Sequence, residues 1–184
     1  MVSFAILGCG RIGRMHARNI KAHPRAELVG VYDVVAKAAA DVAAELGSRV
    51  LGSIDEALND PKIDAVFIAS STDTHVELIT RAAKAGKAVL CEKPIDLDIA
   101  RVEACWNEIG TLDPLVMIGF NRRFDPSFKA LRDRIQSGEL GRLEQVVITS
   151  RDPAPPPVQY VKGSGGLFRD MTIHDFDMAR YLAG

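Results

Sequence analysis

The sequence predicts an α/β fold, in which a doubly wound parallel sheet is followed by an incomplete α+β second domain. The main observation is that short apolar runs alternate with helix-length segments over residues 1–119, with short connections between them. Such alternation predicts parallel strands with helices on both faces of the sheet. The pattern changes from residue 120, where one long strand-like segment and a proline-rich stretch appear. We therefore expect domains at 1–119 and 120–184.

A glycine-rich motif follows the first apolar run and precedes the first predicted helix. It reads GCGRIG over residues 8–13, which fits the G-x-G-x-x-G pattern of dinucleotide-binding loops. In that pattern Gly8 allows the tight turn, Gly10 lets a pyrophosphate approach the backbone, and Gly13 lets the helix approach the strand. The first N–H groups of the helix would face the phosphates. The motif predicts a Rossmann domain, although a simple glycine-rich turn has the same pattern.

An acidic residue ends the second predicted strand. That strand spans residues 26–32 and is followed by Asp33, which lies 20 residues after Gly13. This is about the distance at which such folds place the carboxylate that binds the adenosine ribose hydroxyls. A carboxylate there would repel a 2′-phosphate, and the following Val34 and Val35 offer no cation for one. We therefore expect NAD rather than NADP, while a strand-end turn residue is the alternative interpretation of Asp33.

The other elements of the first domain are predicted from apolar periodicity and helix signals. Predicted strands span residues 4–7, 26–32, 49–51, 65–69, 88–91 and 115–118. Predicted helices span residues 14–22, 36–46, 54–58, 75–85 and 98–109. Ser53 with Glu56, and Thr74 with Glu77, have the spacing of capping boxes, which would fix the starts of two of these helices.

Four polar loops directly follow predicted strands. They lie at residues 8–13, 33–35, 70–74 and 92–94. Right-handed crossovers place the carboxyl ends of parallel strands at one edge of the sheet, so these loops should lie side by side. Ligands of open α/β sheets bind at that edge. The sequence therefore predicts a cofactor site built from these loops.

The second domain is predicted to contain one strand between helices. Its predicted elements are a polar turn at 120–126, a helix at 127–137, a strand at 142–151, a loop with four prolines at 152–158, a glycine turn at 163–166 and a helix at 167–182. The strand would have few partners within this chain, and an exposed apolar strand edge tends to associate. The sheet of this domain is therefore expected to be incomplete.

Composition excludes several classes of function. The 184-residue chain has a formal net charge of −1 and no basic patch, so we expect no nucleic-acid partner. Its apolar runs fall short of the roughly 20 residues that span a membrane, so we expect no membrane partner. Cys9, Cys91 and Cys105 are scattered without metal-ligand spacing. They predict reduced thiols, no metal and a cytoplasmic location.

Three polar residues of the last predicted helix share one face. Asp170, His174 and Asp177 fall at positions i, i+4 and i+7. A carboxylate one turn from an imidazole can fix its tautomer, so that the other ring nitrogen accepts a proton as a general base. The alternative is a solvated helix face, whose Asp–His pair contributes only a few tenths of a kcal/mol. Spacing alone slightly favours that alternative.

Two basic residues of the first domain lie at the predicted cofactor edge. Lys93 follows Glu92 directly after a buried strand, where it could hold a substrate hydroxyl and stabilise an alkoxide. Without further context, an ordinary exposed lysine is the favoured interpretation. His75 begins a predicted helix beside the nucleotide loop, and its residue type alone favours a structural role over a catalytic one.

Five separated motifs together resemble the Gfo/Idh/MocA oxidoreductases. They are, in order, GCGRIGRMHARNI, SSTDTH, CEKPI, GFNRRFDPSF and GGLFRDMTIHDFDMARYL. The resemblance is specific, because the motifs run through nearly the whole chain in the family's order. Many members have Thr-Pro where this chain has Ser70-Ser71, and the serines are frequent among the inositol-oxidising members.

The resemblance implies a set of site residues. Lys93, Asp170 and His174 would be catalytic, and Asp177 and Arg123 would join them in binding the substrate. The residues implied to bind the cofactor are Gly8, Gly10, Arg11, Ile12, Gly13, Asp33, Ser70, Ser71, His75, Glu92, Lys93 and Arg123. The resemblance implies no metal.

The resemblance also implies an activity. A secondary hydroxyl of a cyclic polyol or sugar, above all of myo-inositol, would lose its proton to His174 and its hydride to NAD, giving the 2-keto-inositol. Assembly into a homo-oligomer is implied as well. Members of the family continue with strands that complete the second sheet, whereas this sequence ends at Gly184. A non-catalytic NAD-binding fragment is therefore the alternative expectation.

Overall fold

The protein is described by a computed structural model, which defines the backbone of residues 1–184 and every side chain except those of residues 159 and 162. The chain divides into two compact units, Met1–Gly119 and Phe120–Gly184. The first unit is a layered α/β structure, and the second consists of short helices and an extended segment. The roles predicted for the two domains, cofactor binding and catalysis, stay predictions.

A parallel sheet forms the centre of the first unit. In the described chain its strands are β1 (Val2–Leu7), β2 (Ala26–Tyr32), β3 (Arg49–Val50), β4 (Ala65–Ile68), β5 (Ala88–Cys91) and β6 (Val116–Ile118). Their order is β3-β2-β1-β4-β5-β6, and each neighbouring pair is parallel. This is the strand order of a Rossmann fold, in which the chain winds outward from β1 in both directions. The predicted fold class is confirmed.

Helices follow the strands in alternation. In the first unit they are α1 (Arg11–Ala22), α2 (Ala36–Leu46), α3 (Ile54–Asn59), α4 (His75–Lys84) and α5 (Ile99–Ile109). In the second unit they are α6 (Pro126–Gln136), α7 (Val158–Gly163), α8 (Leu167–Asp170) and α9 (Ile173–Ala183). Short 3-10 turns lie at Thr72–Thr74, Gly110–Leu112 and Asn121–Phe124. No helix in the described part of the chain is both long and apolar enough to cross a membrane.

The sheet is buried on both faces because its side chains alternate between two apolar clusters. Ala5 and Leu7 of β1 belong to the cluster that includes residues of α4 and α5. Ile6, which lies between them, belongs to the cluster that includes residues of α1 and α2. This alternation is the period-two geometry of a strand. Burial of apolar surface, at about 25 cal/mol per Å², is therefore the main force that holds the helices on the sheet.

One predicted capping box forms in part. At the start of α3 the Ser53 hydroxyl accepts a hydrogen bond of 3.1 Å from the Glu56 amide, as predicted. The Glu56 carboxylate accepts from the amide of Gly52, at 2.7 Å, rather than from that of Ser53. The Ser53 hydroxyl thus satisfies an N–H group that the helix start would leave unpaired, and the Glu56 carboxylate holds the residue before the N-cap.

The second predicted capping box is wrong. A 3-10 turn at Thr72–Thr74 precedes α4, and Thr74 makes no side-chain cap to the helix. Its hydroxyl instead donates to the Ser71 carbonyl, at 2.7 Å, and lies 2.6 Å from the Ser70 hydroxyl. The threonine therefore stabilises the loop after β4 rather than the helix.

The strand predicted at residues 142–151 is wrong. The segment has no strand hydrogen bonding, and its residue Val147 is 77% exposed. A run of β-branched residues favours an extended chain that could pair. A strand forms only when a neighbouring strand supplies the other partner of each hydrogen bond. In the second unit, within the described chain, no strand lies beside it.

The single helix predicted over residues 167–182 is also wrong. It is divided into α8 and α9 by a turn at Met171 and Thr172. The turn forms because the Thr172 amide donates to the Leu167 carbonyl at 2.9 Å, one residue beyond the helical partner. The Thr172 hydroxyl reaches the same carbonyl at 3.2 Å. Asp170 therefore ends one helix while His174 belongs to the next, so their alignment does not follow from helical spacing.

Candidate functional site

The polar loops of the first unit lie at one edge of the sheet. Leu7, the last residue of β1, pairs with Tyr32 of β2 on one side and with Ile68 of β4 on the other. Ile68 in turn pairs with Cys91 of β5. The residues that follow these strands therefore emerge side by side, as predicted. β1 and β4 lie where the chain reverses its winding direction, which is where open α/β sheets form a ligand crevice.

Two glycines of the 8–13 loop are required by close contacts. Gly8 has a φ of +103°, and a Cβ there would lie 2.5 Å from the Ser70 amide nitrogen. A Cβ on Gly13 would lie 1.8 Å from the Gly8 carbonyl oxygen. Neither position accepts a side chain, so α1 approaches β1 only because both residues are glycine. The positive φ of Gly8 fits the tight turn that the motif predicts for its first glycine, and the close contact at Gly13 fits the helix packing that it predicts for its third.

The middle glycine faces open space. Nothing lies within 4 Å of the position that a Cβ on Gly10 would occupy. Gly10 is also the N-cap of α1, and no side chain caps that helix. The N–H groups of the first helical turn, which includes Arg11 and Ile12, are therefore offered to the same space. A pyrophosphate fits this arrangement of open backbone and helix N-terminus.

Asp33 holds the glycine loop from the neighbouring strand. One carboxylate oxygen accepts from the Cys9 amide at 2.6 Å, and the other accepts from the Val35 amide at 2.7 Å. The carboxylate is half-buried beside the loop. A carboxylate oxygen has a second lone pair, so these bonds leave acceptor capacity for a ribose hydroxyl. Asp33 thus has the turn-stabilising role that was its alternative interpretation. Its contact with a cofactor ribose stays a prediction.

The thiols of the chain are buried and free. Cys9 of the glycine loop is 6% exposed, and Cys91 and Cys105 are 0% and 2% exposed. Burial, and then the nearby Asp33 carboxylate, raises the pKa of Cys9 to about 12. Burial likewise raises the pKa of Cys91. In the described residues no cluster of His, Cys, Asp or Glu could hold a metal ion.

His75 is enclosed between two loops of the carboxyl edge. Its ring is 1% exposed. Nδ1 lies 2.8 Å from the Pro94 carbonyl oxygen, and Nε2 lies 3.1 Å from the Ser70 carbonyl oxygen. The ring thus contacts backbone of the same loops that were predicted to hold the cofactor. A direct contact of His75 or Ser71 with the cofactor stays a prediction.

Glu92 is held by a histidine that sequence reasoning missed. His16 of α1 places Nε2 3.2 Å from a Glu92 carboxylate oxygen. The His16 ring stacks on Phe67 of β4, with ring centroids 4.2 Å apart. The only signal in the sequence was a histidine three residues after Gly13. Lys93, which follows Glu92, is half-buried at the edge of the sheet, and its predicted catalytic role stays a prediction.

In the second unit, Arg123 pairs with Asp177. The guanidinium donates to both carboxylate oxygens, at 2.6 to 3.0 Å, and Asp177 is 7% exposed. The hydrogen bonds that Arg123 donates to the Asp177 carboxylate raise the pKa of Arg123 above its ordinary value. A bidentate pair of this kind fixes the carboxylate in one orientation. The substrate contacts predicted for both residues stay predictions.

Asp170 has a partner that the motifs did not indicate. The Tyr160 hydroxyl donates to an Asp170 carboxylate oxygen at 2.7 Å. Tyr160 lies in α7, ten residues before Asp170 and outside the five motifs. No spacing rule connects the two residues, because α7 and α8 are separate helices.

Asp175, next to His174, is part of a half-buried polar network. Its carboxylate accepts from Arg122 and from the Ser150 hydroxyl, each at 2.5 Å. Burial by itself would raise the pKa of Asp175, but the hydrogen bonds from Ser150 and Arg122 outweigh it and lower the pKa. Through Ser150, the network connects the extended segment, residues 142–151, to α9. Asp175 was not among the predicted site residues.

The second unit should therefore lose stability in acid. A carboxyl whose folded-state pKa is lowered stabilises the fold above its unfolded pKa, near 3.9, and the contribution is lost as pH falls through the folded pKa. Replacing Asp175 by Asn should lower the free energy of unfolding by about 1–2 kcal/mol at pH 7. The difference from the unchanged protein should shrink near pH 3. Urea unfolding at the two pH values measures it.

Asp133→Asn is the matched control for the acid experiment. Asp133 pairs with Lys129 on an exposed helix face, with 57% of its side chain accessible, so its loss should change stability little at either pH. An equal loss for Asp175→Asn at both pH values would contradict the prediction.

Two family models match the chain in order. The model described as "Oxidoreductase family, NAD-binding Rossmann fold" of GFO/IDH/MocA matches residues 2–120. The model of the GFO/IDH/MocA C-terminal domain matches residues 128–184. Together they cover nearly the whole chain.

Several relatives of the chain are named inositol dehydrogenases. The inositol 2-dehydrogenase of Rhizobium meliloti is 53% identical over 183 residues, which cover 100% of this chain and 55% of that protein. A putative myo-inositol dehydrogenase structure from Sinorhizobium meliloti superimposes with a TM-score of 0.96 at 53% identity, covering 100% of this chain and 56% of that one. The scyllo-inositol dehydrogenase of Lactobacillus casei, solved with bound NAD(H) and scyllo-inositol, superimposes with a TM-score of 0.87 at 36% identity, with the same two coverages. This chain spans about half the length of the relatives it matches.

Proposed function

Because the chain belongs to the Gfo/Idh/MocA oxidoreductase family, we propose that it serves as an NAD-dependent polyol dehydrogenase. Its substrate is a cyclic polyol or sugar, above all myo-inositol, which is oxidised to the 2-keto-inositol. The relatives are named inositol dehydrogenases, and the proposal assigns the same activity to this protein. Assembly into a homo-oligomer and a cytoplasmic location are part of the proposal.

The glycine loop is the observation that carries the proposal. Gly10 leaves open space at the uncapped start of α1, and Asp33 lies beside it with its carboxylate anchored to the loop. A pyrophosphate in that space would accept from the backbone of the first helical turn. Ser70 and Glu92 follow the neighbouring strands at the same edge of the first unit. In the proposal, the glycine loop contacts the phosphates, Asp33 the adenosine ribose, and the loops after β4 and β5 the nicotinamide end of the dinucleotide.

The proposed chemistry divides between three side chains. His174 takes the proton of the substrate hydroxyl, as a general base whose ring is held edge-on to Phe120, with ring centroids 6.4 Å apart. Lys93 donates a hydrogen bond to the reacting oxygen and stabilises its developing negative charge. Asp170, which accepts from Tyr160, acts on His174 as the orienting carboxylate. NAD, when bound, supplies the acceptor for the carbinol hydride.

The proposed function is tested by NADH formation. The chain is mixed with NAD and myo-inositol, then with scyllo-inositol and a panel of sugars, and NADH absorbance is followed. Reduction of NAD with an inositol, lost in Lys93→Met, supports the proposal. Tight NADH binding without turnover on any polyol would contradict it.

A second candidate is a chain that binds NAD without catalysis. One observation favours it, because residues 142–151 carry exposed apolar side chains without a neighbouring strand in the second unit. A polyol site that lacks a wall would remain open to water, which weakens hydride transfer. NADH titration together with the turnover assay separates the two candidates, since both predict binding and only the first predicts turnover.

Cofactor preference should invert when Asp33 is changed together with its neighbour. In Asp33→Ser/Val34→Arg the carboxylate that would repel a 2′-phosphate is lost, and a cation is added at a position that is 87% exposed and needs no repacking. The unchanged chain should bind NADH at least about tenfold more tightly than NADPH, a difference of about 1.4 kcal/mol. The double variant should prefer NADPH. Fluorescence titration with both cofactors measures the two ratios.

The anchoring role of Asp33 requires a control. Asp33→Asn keeps one acceptor oxygen for the Cys9 amide but loses the charge and the acceptor for the Val35 amide, so it should reduce the preference for NADH while the bond to the glycine loop is kept. Equal affinity of the unchanged chain for both cofactors would contradict the assignment of Asp33.

A further inference from the structure

His75 makes contacts that suit neither a surface residue nor a substrate ligand. The ring is 1% exposed, and both of its nitrogens lie within hydrogen-bond distance of backbone carbonyl oxygens. A carbonyl only accepts, so the two contacts are hydrogen bonds at the same time only when both ring nitrogens carry protons, as they do in the imidazolium. Removing the ring would leave a polar backbone group without this partner in both segments.

The two carbonyls belong to different parts of the candidate site. The Ser70 carbonyl is in the loop after β4, whose backbone is packed against Gly8 so closely that a Cβ there would meet the Ser70 nitrogen at 2.5 Å. The Pro94 carbonyl is in the loop after β5 and directly follows Lys93. One imidazole therefore connects the glycine loop, through Ser70, with the backbone that carries Lys93.

We propose that His75 is a positioning residue that holds the Lys93 loop in register with the cofactor loop. With a proton on each nitrogen, Nδ1 donates to the Pro94 carbonyl and fixes the backbone after Lys93, while Nε2 donates to the Ser70 carbonyl and fixes the backbone that supports Gly8. Binding of a dinucleotide and placement of the lysine ammonium then depend on the same ring. The catalytic consequence rests on the proposed function, whereas the mechanical connection between the loops does not.

Substitutions can separate the two contacts. An asparagine amide nitrogen lies close to where Nδ1 of histidine lies, and a glutamine amide nitrogen close to Nε2. His75→Asn should therefore keep the bond to Pro94 and lose the bond to Ser70, while His75→Gln should do the reverse. His75→Phe keeps a ring of similar size and loses both. His23→Asn, at an exposed residue on the far end of α1, is the control.

Hydrogen–deuterium exchange of the intact chain reads the two loops directly. In His75→Phe we expect exchange about tenfold faster in peptides covering both 69–74 and 92–96, as for the loss of one buried hydrogen bond at each. His75→Gln should accelerate only 92–96, and His75→Asn only 69–74. His23→Asn should change neither. Equal acceleration in the Gln and Asn variants, or none in the Phe variant, would overturn the proposal.

Binding and turnover are measured on the same variants. NADH affinity should fall about tenfold in His75→Asn and stay unchanged in His75→Gln. If the unchanged chain turns over myo-inositol, kcat should fall about tenfold in His75→Gln with little change in the KM for NAD. Hydrogen–deuterium exchange tests the positioning role of His75 even if the chain shows no turnover. Absence of turnover would count only against the proposed function.

Discussion

Turnover of myo-inositol is expected to fall by roughly 10²–10⁴ when His174 is replaced by alanine, the usual contribution of a positioned general base. His174 lies in the first turn of α9, next to Asp175 in the sequence, and its ring lies edge-on to Phe120 with the ring centroids 6.4 Å apart. In the proposed mechanism this imidazole is the group that takes the proton of the substrate hydroxyl, and the alanine variant lacks it. The affinity for NADH should stay nearly unchanged. Steady-state kinetics and fluorescence titration measure the two quantities.

The loss must be separated from a loss of structure. His23→Ala removes an exposed histidine of the first unit and should leave turnover unchanged. His174→Asn retains a polar side chain of smaller size and should be as inactive as the alanine variant, because an amide does not accept a proton at neutral pH. A reduction below tenfold in a correctly folded His174→Ala preparation would remove the general base from the mechanism.

Replacing Gly13 by alanine should unfold or distort the first unit, whereas replacing Gly10 should not. The added Cβ would lie 1.8 Å from the Gly8 carbonyl oxygen at position 13 and more than 4 Å from any atom at position 10. Since helix α1 must move away from β1 in the first case, we expect a loss of about 3 kcal/mol, or about 10 °C in Tm. Thermal unfolding followed by circular dichroism measures the difference.

Replacing Gly10 by alanine should lower the affinity for NADH, although it should leave stability nearly unchanged. Gly10→Ala should melt within about 2 °C of the unchanged chain. Its methyl group would occupy the space proposed for the pyrophosphate, so its NADH affinity should fall at least about tenfold. Unchanged NADH affinity in a stable Gly10→Ala protein would show that the phosphates lie elsewhere.

Much of the first unit could be predicted because its signals are local. Ala5, Ile6 and Leu7 are all apolar, as expected of a strand that is covered on both faces, and Gly47 and Gly86, just after α2 and α4, mark where these helices end. Parallel strands alone are enough to predict that the candidate site lies at the carboxyl edge of the sheet. Local patterns therefore give the order of the elements and the position of the candidate site.

The rest depends on partners that are distant in sequence. Arg123 and Asp177 are 54 residues apart, and His16 and Glu92 are 76 residues apart, so no spacing rule pairs them. The Val146–Ile148 run has strand propensity, but propensity does not supply a neighbouring strand. The break before α9 depends on the Thr172 hydroxyl and amide sharing the Leu167 carbonyl. A single sequence contains these residues but not their distances.

The buried thiols have a practical consequence for chemical labelling. Thiolates rather than thiols react with alkylating reagents, and burial holds both Cys9 and Cys91 in the protonated form. Cys105, 2% exposed, is sterically shielded as well. A cysteine introduced at Val147, which is 77% exposed, would therefore react far faster than the native three. A fluorophore could be attached to the extended segment selectively, without first removing the cysteine that sits inside the glycine loop.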